Sequence, residues 1–187
     1  MNLRIISGAL RGRRIFLPEK QVTFRPTKDR VRQSLAETIK EQIPGAVAAD
    51  FCAGSGAFGI ELASRGAAKV HFVERDRLLA RSLSASIDSF GIGAQCSMFN
   101  KDIVTFVRQC TFSYDIIFFD PPYENEELAA LIPAMISLLS NDGILLYEYS
   151  PRLKKSRQPF EFADSKNVLV ETKAYGDTAV DIFRFGI

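Results

Sequence analysis

The chain has 187 residues, 47% hydrophobic and 25% charged, with a net charge of +2 and a mean hydropathy of +0.01; the length suits one domain of about 150 residues with a small appendage, and the composition excludes disordered, collagen-like and coiled-coil chains. No run reaches the about 18 uninterrupted apolar residues of a membrane span, and arginines stand where a secretory leader needs its apolar core, so a cytoplasmic protein is expected. The charge is lopsided: residues 1–32 carry nine Lys and Arg against Glu19 and Asp29, a net of +7, and the rest of the chain carries −5, a distribution that suits a solvated face or, more pointedly, an arm that displaces counterions from nucleic-acid phosphates.

In chain order, residues 2–17 read as a short hairpin, Leu3-Arg4-Ile5-Ile6 against Arg14-Ile15-Phe16-Leu17, around the turn-prone Ser7-Gly8 and Arg11-Gly12. Pro18 and Pro26 bracket a loop. Thr27 is the expected N-cap of a helix over 28–40, with Val31, Leu35, Thr38 and Ile39 on one face and Pro44-Gly45 beyond its end. After Gly45 short apolar runs alternate with helical patterns, as in βαβ units feeding a parallel sheet. Strands are predicted at 47–52, 69–74, 95–99, 114–119 and 143–149, and helices at 57–65, 76–90, 103–109 and 125–140. Residues 168–175 and 178–185, joined by Gly176-Asp177, read as a hairpin that adds antiparallel structure at the sheet's edge. The basic Lys154-Lys155-Ser156-Arg157 stretch reads as a solvated loop. The expected architecture is α/β: a mostly parallel seven-stranded sheet with helices on both faces, an antiparallel C-terminal edge hairpin, and an N-terminal β-hairpin extension. Residues 1–26 are assigned to the basic extension and 27–187 to the main domain.

Cys52, Cys96 and Cys110 match neither a zinc site nor a disulfide framework and read as small buried hydrophobes. The single histidine, His71, sits in the alternating Lys69-Val70-His71-Phe72-Val73-Glu74, a strand interior. A Ser/His/Asp triad, a Cys/His pair or a multi-histidine metal site would have to be built on it alone. No metal is therefore expected, and the chemistry falls to carboxylates, backbone, aromatics or a bound cofactor.

Three constellations stand at predicted strand ends. Asp50-Phe51-Cys52-Ala53-Gly54-Ser55-Gly56-Ala57-Phe58-Gly59 contains Gly-x-Gly-x-x-Gly directly after a strand, where Gly permits a tight turn and close approach of backbone to a ligand. Glu74 ends the next strand, placed to accept hydrogen bonds from both hydroxyls of a ribose. A dinucleotide would set its pyrophosphate on the helix N-terminus, but Asp50 would repel it and favours S-adenosylmethionine, whose amino-acid end is cationic. Asp102, after the third strand, is either a helix N-cap or an acceptor for an adenine amino group. Finally, Phe118-Phe119-Asp120-Pro121-Pro122-Tyr123 ends the fourth strand. Its two prolines forbid helix and ladder pairing, so the Asp120 carboxylate and Pro121 carbonyl become rigid acceptors beside the Tyr123 ring. Methyl transfer to an exocyclic amine of a base needs two such acceptors, because the amine's lone pair is conjugated into the ring until its hydrogens are held out of plane. The base must also leave its stack and lie on an aromatic surface.

These residues resemble the class I S-adenosylmethionine-dependent methyltransferases that modify amino groups of bases. With Ile5-Ile6-Ser7-Gly8-x-x-x-Gly12-Arg13 and Arg25-Pro26-Thr27-Lys28-Asp29-Arg30-Val31-Arg32, nearly the whole chain is similar to the bacterial small-subunit rRNA (guanine-N2)-methyltransferases, the methyltransferase D family. The resemblance implies a Rossmann-like fold and a monomer that methylates one guanine of 16S rRNA, within the small subunit or an assembly intermediate, leaving S-adenosylhomocysteine. It implies cofactor binding by Asp50, Ala53, Gly54, Ser55, Gly56, Gly59, Glu74 and Asp102, chemistry at Asp120, Pro121, Pro122 and Tyr123, and RNA contacts from Arg4, Arg11, Arg13, Arg14, Arg25, Lys28 and Arg30. Two departures are the helix reading Ala80-Arg81-Ser82-Leu83-Ser84-Ala85-Ser86-Ile87, without the Asn common there, and Leu35-Ala36 where Leu-Phe is common. The acceptor motif serves adenine N6 as well as guanine N2, so an adenine-N6 methyltransferase of RNA or DNA is the alternative. A nicotinamide-dependent oxidoreductase would leave Asp50 and Asp120-Pro121-Pro122-Tyr123 unexplained, and a non-catalytic RNA-binding module would bind no cofactor.

Overall fold

The computed structural model describes residues 3–18, 29–122, 126–152 and 168–185. Thr27, Arg25, Lys28, Tyr123 and the 154–157 stretch lie outside the described residues. Seven strands form one sheet: β1 (Val47–Phe51), β2 (Lys69–Val73), β3 (Cys96–Phe99), β4 (Tyr114–Phe119), β5 (Leu139–Tyr149), β6 (Val168–Tyr175) and β7 (Thr178–Phe185), in the order β3-β2-β1-β4-β5-β7-β6. The first five run parallel, and β7 enters antiparallel between β5 and β6. The hairpin is thus at the edge as the sequence indicates, with its second strand on the inside. The burial explains why: Ala179, Val180, Ile182 and Phe183 of β7 are buried on both faces, while β6 exposes Val170, Glu171 and Thr172, and a strand covered on both sides must be apolar on both.

Helices α1 (Asp29–Thr38), α2 (Ala57–Ser64) and α3 (Arg77–Phe90) cover one face, and α4 (Ile103–Gln109) and α5 (Ile132–Ile136) the other. Local chemistry sets their ends. Asp76 caps α3 by accepting from Leu78 N and Leu79 N, and Gly91, with φ of 71°, closes it. All eight residues of α2 are buried, since sheet, α1 and the N-terminal arm enclose it. The helix expected over 125–140 is instead a 3₁₀ turn at Glu126–Leu131 followed by the five-residue α5, and β5 begins at Leu139. Pro133 is the reason: lacking an N–H, it fits the first turn of a new helix and interrupts a continuous one.

The described part of the N-terminal arm is a minimal hairpin, closed by Ile5 N to Arg13 O and Ile15 N to Leu3 O, each 3.0 Å, around the Arg4–Arg14 bridge. Leu3, Ile5, Leu10 and Ile15 are buried in the same core as α1, α2 and β1. Polar groups of the helices hold it there: Ile6 N donates to Glu61 Oε2 at 2.8 Å, Leu10 N to Ser64 Oγ at 2.9 Å, and Phe16 N to Ser86 Oγ at 2.9 Å. Gly8 has a φ of 78°, and a Cβ on it would run into the Ser64 carbonyl, so only glycine lets the tip reach the end of α2.

Candidate active site

β1 pairs with β2 on one side and β4 on the other, and the connections leave it in opposite directions. Ligands of open α/β sheets settle at the carboxyl ends of the strands beside such a reversal. The register aligns Phe51 with Val73 and Phe119, so the next residues, Cys52, Glu74 and Asp120, emerge side by side. The Asp120 N–H donates to Phe51 O at 3.4 Å, which keeps the start of Asp120-Pro121-Pro122 against the end of β1.

The glycine loop turns here by positive φ angles at Cys52 (60°), Gly54 (55°) and Gly56 (69°). Cys52 is the only non-glycine with positive φ among the described residues, a conformation that strains a side-chain-bearing residue and tends to mark functional turns. Its thiol is held far above the usual range, chiefly by burial, so it stays a thiol. Ala53 N donates to Val73 O at 3.0 Å and Gly56 N to Ala53 O at 2.6 Å, while Ser55 is buried in the turn. Gly59 is glycine for packing: a Cβ would collide with the Phe72 ring and stand 2.9 Å from Asp50 Oδ2.

The carboxylates differ in their settings. Glu74 braces the loop, accepting from Gly54 N at 2.8 Å on Oε2 and from Asp76 N at 2.7 Å on Oε1; each oxygen retains a further lone pair. Asp50, 2% exposed, accepts from Gly59 N at 2.8 Å. Burial pushes its pKa up to about 8; the Gly59 hydrogen bond opposes this, and the charges of Glu74 and Glu148 add to it. Asp102 is exposed and caps α4, accepting from Val104 N and Thr105 N on Oδ1. Among the described residues no group of three or more His, Cys, Asp or Glu could hold a metal ion, and no helix is long and apolar enough to cross a membrane.

Residues 3–184 match the family described as Conserved hypothetical protein 95. Over 146 residues, 78% of this chain and 71% of the relative, the chain is 34% identical to the ribosomal RNA small subunit methyltransferase D of Escherichia coli K12. The chain belongs to the methyltransferase D family. Another relative, the Bacillus subtilis rRNA methyltransferase candidate YlbH, is 28% identical over 187 residues, 97% of this chain and 98% of that one. The solved Escherichia coli methyltransferase candidate yhhF superposes with a TM-score of 0.84 at 27% identity, covering 99% of this chain and 98% of its own. The fold is Rossmann-like, as in the methyltransferases it resembles.

In this methyltransferase D chain the basic residues of the arm occupy unlike positions. Arg13 is tied to the end of α3: it donates to Ser89 O at 2.6 Å and Phe90 O at 3.5 Å, with its guanidinium 4.7 Å over the Phe90 ring, a helix-terminating role. Arg4, Arg11, Arg14 and Arg30 are exposed. The hairpin tip, with Arg11, lies by Ser64 at the far end of α2, on the order of 10 Å of helix from the glycine loop. The Arg4 guanidinium donates to Gly12 O at 3.1 Å, and the Arg4 carbonyl accepts from Arg32 in the first turn of α1 at 2.9 Å. Sequence reasoning passed over Glu148, a glutamate inside the apolar run Ile144–Tyr149 that is 2% exposed and next to the site. The signal was a charge in the middle of a strand buried on both faces.

Proposed function

We propose that the chain methylates the exocyclic N2 amine of a guanine in small-subunit (16S) rRNA, using S-adenosylmethionine, in the cytoplasm and as a monomer. The observation that supports this best is the juxtaposition of Asp120-Pro121-Pro122 with the Glu74-braced glycine loop, in a chain whose relatives are named small-subunit rRNA methyltransferases. Residues 1–26 then serve as the RNA-contacting extension of a 27–187 methyltransferase domain.

The residues present fit the cofactor. Gly54 and Gly56 make a floor with no side chains, Glu74 has lone pairs left for ribose hydroxyls, Asp102 is open to solvent beside β3, and the second oxygen of Asp50 is left for a cationic amine. When bound, S-adenosylmethionine supplies a methyl group on a sulfonium, leaving with the C–S electron pair on sulfur. The protein's part is to hold the amine. Asp120 and the Pro121 carbonyl accept its two hydrogens and turn its lone pair out of conjugation, and Pro122 stiffens the acceptor pair. Tyr123 gives the flipped base a surface. After transfer the N2 proton passes to Asp120 or to water, so Asp120 need not be a strong base.

The test is to incubate the protein with labelled S-adenosylmethionine and naked 16S rRNA, small subunits or DNA, and digest the product to nucleosides. Label in N2-methylguanine from rRNA supports the reading. Label in N6-methyladenine, or in DNA alone, overturns it.

Asp50 yields a pH prediction. With its pKa raised from 3.8 to about 8 in the folded chain, the native state binds a proton that the unfolded state releases, so the stability from this group is full below pH about 4 and falls as pH rises toward 8. A cationic amine needs the anion. Binding of S-adenosylhomocysteine at pH 7 should therefore release close to one proton and tighten up to about tenfold per pH unit up to pH 8. Calorimetry in two buffers of different ionisation enthalpy reads this directly, and zero proton release would remove Asp50 from the amine site.

A further inference from the structure

A groove of about 610 Å³ runs between α3 and β3, with Arg77, Arg81, Ser84 and Asp88 on its helix wall and Met98 and Asn100 on its strand wall. Spacings of three and four residues put the four helix residues on one face of α3. The N-terminal arm docks on another flank of the same helix, through Ser86 and the carbonyls of Ser89 and Phe90, so α3 stands between the arm and the groove. β3 is the edge of the sheet and pairs with β2 alone, so no further strand covers the groove. Arg77 and Arg81 are exposed, one helical turn apart, and neither guanidinium is engaged in a hydrogen bond or ion pair among the described residues. The groove also reaches the candidate active site. Asn100 Nδ2 donates to Glu74 O at 2.8 Å and to Arg75 O at 3.1 Å, which ties the strand wall to the residue that braces the glycine loop.

Charge selects the occupant. Of the carboxylates nearby, Asp76 and Asp102 cap α3 and α4, where the positive helix ends offset them. Asp88 is not a cap, and it stands eleven residues along α3 from Arg77, about 16 Å of helix away from the cleft. The end of the groove beside the cleft is therefore positive. Its walls are otherwise polar or small, and a protein segment would find no large apolar anchor there except Met98. A phosphodiester backbone needs only the cations, which bind it by displacing its counterions. We propose that this groove is a second rRNA-contact surface, in which Arg77 and Arg81 neutralise phosphates of the strand flanking the target nucleotide, on the other side of α3 from the arm. The proposal rests on the rRNA reading above. It adds to the basic arm a surface that the net charge of −5 beyond residue 32 conceals, and RNA held on both sides of α3 is fixed in orientation over the cleft, since phosphate contacts set register and direction.

The experiment is filter binding of naked 16S rRNA and of small subunits across a salt series, with S-adenosylhomocysteine affinity and Tm measured on the same proteins. Replacing Arg77 and Arg81 together by Ala should weaken binding of naked rRNA about tenfold at physiological salt and lower the log–log salt slope by about 1.5, the share of two phosphates. Tm and S-adenosylhomocysteine affinity should not change. Asp88→Asn should shift binding the other way, tightening it severalfold, because it removes a carboxylate from the phosphate path; a merely structural role for this face gives no such gain. Arg108→Ala, in the last turn of α4 on the opposite face of the sheet, is the control for net charge and should leave binding unchanged. An unchanged slope in the double variant overturns the proposal, as does an equal fall from Arg108→Ala. Weakened S-adenosylhomocysteine binding would assign the groove to the cofactor site, and a loss confined to small subunits, with naked rRNA bound as before, would assign it to a ribosomal protein; either outcome overturns the proposal. In all these cases a parent enzyme that forms N2-methylguanine leaves the proposed function standing, whereas a parent that neither binds nor methylates rRNA overturns both.

Discussion

Asp120→Ala is expected to lower the single-turnover rate of methyl transfer by about 10²-fold or more while leaving S-adenosylhomocysteine affinity nearly unchanged. The magnitude is that of removing one preorganised electrostatic interaction made at the reacting atom. The split between rate and affinity follows from placement. Asp120 follows β4, on the other side of β1 from Glu74, which braces the glycine loop by accepting from Gly54 N and Asp76 N. The backbone there is held by the Asp120 N–H on Phe51 O and by the prolines that follow, neither of which needs the carboxylate. Asp120→Asn should recover part of the loss, since its carbonyl still accepts one hydrogen. An Asp120→Ala enzyme as fast as the parent would mean that the amine is held elsewhere and would refute the mechanism.

The second large effect is expected from the exposed arginines, and the structure sharpens which ones. Arg4 and Arg14 face each other across the bridge of the hairpin and Arg30 stands in the first turn of α1, whereas Arg11 is at the tip by Ser64. Replacing Arg4, Arg14 and Arg30 together by Ala should weaken rRNA binding severely at physiological salt and flatten the log–log salt slope by about 2 to 3, close to one for each phosphate that is no longer neutralised. Arg11→Ala alone should do much less, and neither variant should alter S-adenosylhomocysteine binding. Arg13→Ala should instead lower Tm, because its guanidinium closes α3. Filter binding across a salt series settles the matter: an unchanged slope in the triple variant would reduce the arm to a structural cover of α2. Substitution is a better probe than deletion, because Leu3, Ile5, Leu10 and Ile15 belong to the core and removing them would expose it.

Much of this was legible in the residues. The alternation of apolar runs and helical patterns placed the strands of the sheet within a residue or two at most ends, β5's start excepted, because strands buried on both faces and helices with one wet face leave unlike periods. Asp50, Glu74 and Asp120 were legible as site candidates because strand ends carry the functional residues of open parallel sheets, and strand ends are readable where a Gly or Pro follows. The break at Pro133 was visible too, but an apolar stretch from Leu128 to Leu139 hid it; the long helix was favoured by composition and denied by one missing N–H.

What the sequence by itself determined is therefore local: which segments are strands, where they stop, and which chemical groups wait at their ends. Only the tertiary structure decided relations between segments distant in the chain. That β7 lies inside β6 depends on which hairpin strand finds apolar cover on both faces, a property of the neighbours more than of the strand. That Arg13 closes α3 while Arg4 donates within the hairpin to Gly12 O depends on a hairpin docking on Glu61, Ser64 and Ser86, polar residues whose partners are 54 to 70 positions away. That Glu148 stands beside Asp120 follows from the register of two strands separated in sequence by α5. Register and docking are set by packing summed over the whole interior, and no short window of residues contains that sum.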